Sequence, residues 1–434
     1  MAHEPLALVA VAAVLAGFAL ASRRLSTTPI SGPMVFVAAG LLLGPTGVDL
    51  IRPNEEKELI RATLEIALVL VLFTDAMTIQ SAALRRQDFV PIRLLAIGLP
   101  LTMLLGWLVA MGLLPALAVW EAALVAVILA PTDASLGLAT ISNQRVPQLI
   151  RQSLNVESGL NDGMALPFFT IALAAAAESA ELTDTGVVEI LVRALVVSTL
   201  LGAVAGWGAG WLLSRARTRG WVDEAWERIA VVAIALGAYG LAVAVDGSGF
   251  ISAWVGGLAF RAAIRSGGGQ AMVERSGGLI EDLGGLFVAL SYLGFGAVLL
   301  GPVLEHLDWR PVAYAVVSLT LICAIPVALS LRGTGLRRQT VTYVAWFGPR
   351  GLASVVFALI ALEEAVPGIA LVGETVAATV ALSVLLHGVT SVWGSERYGE
   401  WYAAASALDP DFVESGSAPE RAIRKRLPHI AHPD

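Results

Sequence analysis

Apolar runs of about twenty residues follow one another along this chain, with short polar breaks between them. A helix needs about that length to cross a hydrocarbon layer, so the pattern predicts about thirteen membrane-spanning helices. Their ranges are 5–22, 30–51, 59–79, 89–113, 119–142, 150–178, 186–213, 225–245, 250–264, 279–300, 310–331, 340–362 and 368–393. Two runs carry an internal proline next to polar residues, the fifth at Pro131 and the twelfth at Pro349. Proline removes a backbone donor and disturbs the carbonyl one turn back, so both helices are expected to be broken. The two broken spans are seven apart. If spans 1–6 and 8–13 are two repeats, they correspond, and the odd offset gives the halves opposite topology. The predicted fold class is therefore an all-α polytopic membrane protein of two inverted-topology repeats with crossing broken helices. The seventh span links the halves, and its Gly202, Gly206 and Gly210 have the spacing of close helix packing.

Charge adds an orientation. Seventeen arginines fall in one set of alternate connections, against five basic residues in the other. Basic residues favour the cytoplasmic side, which puts the N-terminus outside and the C-terminus inside. Residues 1–398 form the membrane domain, and 399–434, with charges, prolines and no long apolar run, is expected to be a partly disordered cytoplasmic tail. The first run has no Lys or Arg before it, while Arg23 and Arg24 follow it. A signal peptide has the opposite order, so an uncleaved first span is expected.

Composition agrees with a membrane protein. The chain is 57% hydrophobic and 15% charged, where soluble domains have about 45–50% and about 25%. A single cysteine, Cys323, excludes a disulfide within the chain, and the five histidines are scattered without metal-ligand spacing. His387, in the last span, is expected to be a packed, hydrogen-bonded residue. No basic tract with interleaved aromatics points to nucleic acid.

Ionisable residues inside spans are costly and mark function. Three places have them. In "NVESGLNDGMALP" of the sixth span, Glu157, Ser158, Asn161 and Asp162 lie within about 140° of one another around a helix of 100° per residue. They share one side, as either a site or a buried polar network between helices. In "LAPTDAS" of the fifth span, Pro131 frees carbonyls beside Thr132 and Asp133. Such hard oxygens suit alkali cations, and a simple proline kink with a capping Thr or Asp is the other reading. In "WFGPRGLAS" of the twelfth span, Gly348, Pro349 and Gly351 surround Arg350, which is expected to be a structural counter-ion for Glu157.

With "APTDAS" at 130–135, "ESGLNDG" at 157–163, "GPRG" at 348–351 and "HGVT" at 387–390, the chain resembles the monovalent cation:proton antiporter superfamily over roughly residues 5–395. The Asn161-Asp162 pair resembles its electroneutral sodium/proton branch. The resemblance implies a homodimer in a prokaryotic cell membrane. Spans 4–6 and 11–13 form a moving core, and spans 1–3 and 8–10 a dimer scaffold. It implies that Asp162 binds Na+ and H+ in turn, with Thr132, Asp133 and Ser158 helping to coordinate the cation and Asn161 supporting the site. Glu157 and Arg350 correspond to a structural ion pair. No cofactor and no catalytic residue is implied.

The chemistry of one carboxylate fits exchange. Desolvation favours its neutral form, and once ionised it attracts a cation. Proton and cation then compete for Asp162, and both loaded states carry equal charge. An intramembrane aspartyl protease using Asp133 and Asp162 is a competing reading, but no GxGD segment is present. A passive cation channel is another, distinguished by the absence of coupling to protons. A K+/H+ antiporter of the same fold remains open.

Overall fold

The computed structural model describes residues 3–25, 28–78, 89–133, 136, 143–178, 193–266, 270–364, 366–409 and 412–415. Among them the chain is helical, with no strand. Three helices open the chain: α1 (His3–Leu25), α2 (Gly32–Leu43) and α3 (Pro53–Thr78). Next come α4 (89–113), with a π-helical turn at Leu94–Gly98, then α5 (Val119–Ile128) and the 31-residue α6 (Gln148–Glu178). The linker α7 covers 193–218. It is followed by α8 (Glu224–Val243), α9 (Gly249–Ser266), α10 (270–306) and α11 (309–330). The last are α12 (Arg338–Trp346), α13 (Leu352–Glu363) and α14 (Ile369–Leu408). Helices α12 and α13 are the two halves of the twelfth predicted span, so these elements occupy the thirteen predicted positions.

Several boundaries differ from the sequence pattern, α3 and α10 starting earlier than expected at Pro53 and Gln270, and two others are instructive. The second span was expected to run to 51, but α2 stops at Leu43, before Gly44-Pro45. The amides of Val48, Leu50 and Ile51 fold back onto the Leu42 and Leu43 carbonyls, so this stretch caps the helix as a turn. At the other end, α14 runs on to Leu408, past the expected start of the tail at 399. Residues 412–415 then fold against the start of α12, where Glu414 accepts the Arg337 amide at 2.8 Å and the Thr340 hydroxyl at 2.7 Å. Positions 134–142 except 136, residues 186–192 and the tail from 416 lie outside the described residues.

Small residues set the helix spacing, as the pattern in the seventh span suggested. Along α7, a Cβ on Gly202 would sit 2.3 Å from the Ser252 carbonyl, and one on Gly206 2.1 Å from the Gly256 carbonyl of α9. The two backbones are in direct contact. Without a hydrophobic drive between helices in lipid, such close packing supplies much of the association energy. Gly208, on the same helix, meets nothing within 4 Å.

This contrast gives an internally controlled prediction. Gly206→Val should destabilise the protein by roughly 1–3 kcal/mol, the usual cost of overpacking, while Gly208→Val should change little. Thermal unfolding in detergent, followed for both variants, checks it.

Candidate ion-binding site

The site is built where the two broken helices cross. Helical geometry ends at Ile128 in α5 and at Trp346 in α12. The freed backbone of each break is satisfied by the other. The Asp133 amide donates to the Pro349 carbonyl at 2.7 Å. The Leu352 amide, at the start of α13, donates to Asp133 Oδ2 at 3.0 Å. Ser354 Oγ donates to the carbonyl of Ile128 at 2.7 Å. A carboxylate at a helix N-terminus accepts orphan amides and complements the helix dipole, and Asp133 does this for α13. Glycine is obligatory at the crossing, since a Cβ on Gly351 would sit 2.2 Å from Asp133 Oδ2 and 2.6 Å from the Tyr292 hydroxyl. One on Gly348 would sit 2.8 Å from the Cys323 sulfur.

On α6 the four polar residues of the sixth span divide by partner. Asn161 Nδ2 donates to Thr132 Oγ1 at 2.7 Å, with Glu157 Oε1 at 3.2 Å and the Thr132 carbonyl at 3.3 Å. Thr132 Oγ1 donates in turn to Glu157 Oε2 at 3.0 Å. The amide orientation of Asn161 follows from this, because flipping it would set an oxygen against three acceptors. Its Oδ1 is buried and makes no hydrogen bond to the described residues. Ser158 and Asp162, one turn apart on α6, are both buried. The direct hydrogen bonds thus join Thr132, Glu157 and Asn161, with Asp162 adjacent in sequence and Asp133 fixed to the second break.

The expected direct pair between Glu157 and Arg350 is not made. Glu157 gives both carboxylate oxygens to Thr132 and Asn161. Arg350 is fully buried and turns its Nη1 back onto the Gly348 carbonyl at 2.7 Å. Its Nε and Nη2 make no hydrogen bond to the described residues. The guanidinium charge still reaches the Glu157 carboxylate through space. The coupling is therefore electrostatic and lacks a shared hydrogen bond.

His387 is packed as expected. Its Nε2 lies 2.9 Å from the Trp346 carbonyl and its Nδ1 3.2 Å from Ser383 Oγ. Ser383 Oγ accepts the Arg350 amide at 2.7 Å. Nδ1 also lies 3.0 Å from the Ser383 carbonyl, so the ring is held between two backbone carbonyls and the Ser383 hydroxyl. The end of α12 is thereby tied to α14.

Three further residues belong to this region. Tyr292 of α10, 1% exposed, donates to Asp133 Oδ2 at 3.0 Å. Asp75 of α3 is buried, and a Cβ on Gly159 would lie 3.6 Å from its carboxyl carbon. Trp254 of α9 fills the place of the missing side chain at Gly163, where a Cβ would sit 2.2 Å from Nε1. Asp75 was findable, since it is a carboxylate inside a predicted span and the rule that marked Asp162 applies to it equally. A tyrosine or tryptophan in an apolar run carries no such signal. Among the described residues, no three His, Cys, Asp or Glu side chains gather as a metal centre.

The model of the sodium/hydrogen exchanger transmembrane family matches residues 10–394. The chain belongs to that family. Among curated relatives, the K(+)/H(+) antiporter NhaP2 of Shewanella sp. (strain ANA-3) is 24% identical over 396 residues, covering 87% of this chain and 65% of that one. A probable Na(+)/H(+) antiporter of Schizosaccharomyces pombe, C3A11.09, is 25% identical over 349 residues, 75% of this chain and 45% of its own. This chain thus spans less than two thirds of the length of these relatives. The structure of the sodium proton antiporter MjNhaP1 from Methanocaldococcus jannaschii at pH 8 superposes with a TM-score of 0.71 at 18% identity, covering 89% of this chain and 99% of that one. The family member is a multi-pass integral membrane protein with the antiporter fold, and its family is one of transporters.

Tyr292→Phe removes one donor from Asp133 and should lower stability by about 1 kcal/mol. Gly351→Ala forces Asp133 and Tyr292 apart and should cost roughly 1–3 kcal/mol. Thermal unfolding of both variants beside the wild type measures the difference, and equal midpoints for all three would contradict the described crossing.

Proposed function

We propose that this chain exchanges Na+ for H+ across a prokaryotic cell membrane, one for one and without net charge movement, with both ions using Asp162. The observation that carries this reading is a buried carboxylate, Asp162, beside an amide at the crossing of two broken helices. The amide of Asn161 is locked onto Thr132 and Glu157, so a single carboxylate stands at that point of α6.

Exchange follows from competition. Burial favours the protonated, neutral carboxyl, and a cation favours the ionised one. The oxygens we assign to the cation beside Asp162 are hard donors, those of Thr132, Ser158 and Asp133, with Asn161 supporting the site. Asp133 accepts from both Leu352 and Tyr292. With Asp162 alone exchanging its ions, one proton is swapped for one cation and no net charge moves. The empty, ionised site is the species least able to cross, so the core moves when loaded. Here the core is α4–α6 with α11–α14, and the scaffold is α1–α3 with α8–α10. The scaffold packs on α6 at two places close to Asp162, through Asp75 against Gly159 and Trp254 against Gly163. Sliding of the core past these contacts gives alternating access, and the scaffold pairs two protomers as a homodimer. The N-terminus lies outside and the C-terminus inside.

A second reading, K+ in place of Na+, is favoured by the relatives named as K(+)/H(+) antiporters. Proton flux in proteoliposomes on adding Na+, Li+ or K+ in turn separates the two. Asp162→Asn should reduce cation-driven proton flux to the level of empty vesicles. Flux near the wild-type rate in that variant would remove Asp162 from the mechanism. With one proton competing for one site, the apparent half-saturation for the cation should rise about tenfold per pH unit on the acid side of the site's titration. Transport that varies strongly with membrane potential would overturn electroneutrality.

A further inference from the structure

A polar network far from the site joins core to scaffold. Arg61 of α3 donates from Nε to Glu65 Oε1, one turn along, at 2.7 Å. The other Glu65 oxygen accepts the Tyr239 hydroxyl of α8 at 2.8 Å. Arg61 Nη1 crosses to the carboxylate of Glu363, the last residue of α13. The chain Tyr239–Glu65–Arg61 lies on the scaffold, and Glu363 lies on the core.

Its position gives it leverage. Arg61 is about 21 Å along α3 from Asp75, and Glu363 is about 16 Å along α13 from Leu352 at the break, at 1.5 Å per residue. Both run away from the site toward the side that the arginine distribution assigns to the exterior. A displacement of the core there must separate a contact that depends on hydrogen-bond distance.

We propose that Arg61 and Glu363 close the outer side of the transport path, parting and re-forming once in each cycle. This rests on the antiport reading of the site. The chemistry suits a contact that must break. Arg61 is 52% exposed and Glu363 20%, and ion pairs in contact with water are weak and sensitive to salt. Glu65 and Tyr239 hold Arg61 ready, so less freedom is lost each time the pair re-forms. When the pair parts, Arg61 keeps Glu65 as its partner and no bare guanidinium is left. Neither residue touches the ion, so both act by setting which side the site opens to.

Cysteines at both positions, Arg61→Cys with Glu363→Cys, test this directly. The native Cys323 is buried, and each single variant serves as the control for it. A short bifunctional thiosulfonate should arrest exchange in the double variant only, and reductant should restore it. Complete cross-linking with undiminished exchange overturns the proposal. A second readout needs no transport: in an Asp75→Cys background, adding Arg61→Ala should raise the rate of labelling by an external water-soluble thiol reagent two- to tenfold. An unchanged labelling rate counts against an outer closure at this pair. Wild-type vesicles that move no protons in response to any cation would count against antiport, while the labelling comparison would still judge the closure.

Discussion

Inside a bilayer, a backbone group that leaves its helix has no water to bond to. That constraint governs this molecule. Two helices are broken where they meet, and each break offers what the other lacks: an amide for the Pro349 carbonyl, a carboxylate for the Leu352 amide, a hydroxyl for the Ile128 carbonyl. Together they form a compact polar crossing, and the remaining features are arranged to hold it. Glycines 348 and 351 let the segments approach, Ser383 and His387 anchor one break from α14, and Thr132 connects the other to α6.

This arrangement also explains why so many polar residues have structural partners. Of the four polar groups in the sixth span, Glu157 and Asn161 are bound into the network around Thr132. Asp162 takes its character from being next to that network, on a helix whose neighbouring face meets Asp75 and Trp254. Two helices thus meet beside the crossing, α6 with Asp162 and α3 with Asp75.

Much of this was legible in the sequence because membrane burial makes polarity informative. Runs of apolar residues located the spans, prolines located the breaks, and the spacing of Glu157, Ser158, Asn161 and Asp162 placed them on one side of a helix. Asp75 carried the same signal as Asp162, without a proline or a family motif to draw attention to it. Other features were invisible for physical reasons. Whether Glu157 meets Arg350 depends on where the guanidinium turns, and a nearby carbonyl at Gly348 captured it. The link from Tyr292 to Asp133, and the one from Arg61 to Glu363, join residues far apart in sequence, and only the packing of whole helices brings them together. The ends of α2 and α14 depended on local capping, at Gly44-Pro45 and around Glu414, which hydrophobicity does not register.

The amide of Asn161 has a consequence for which side chains its position can hold. Replacing it with aspartate would look like a small step toward a second titrating group. But Nδ2 is the donor that Thr132 and Glu157 share, and a carboxylate there would face the Glu157 oxygen at hydrogen-bonding distance with no proton between them. One of the two acids would have to stay protonated. A charge added at position 161 is thus coupled to Glu157, and the two positions can only change together.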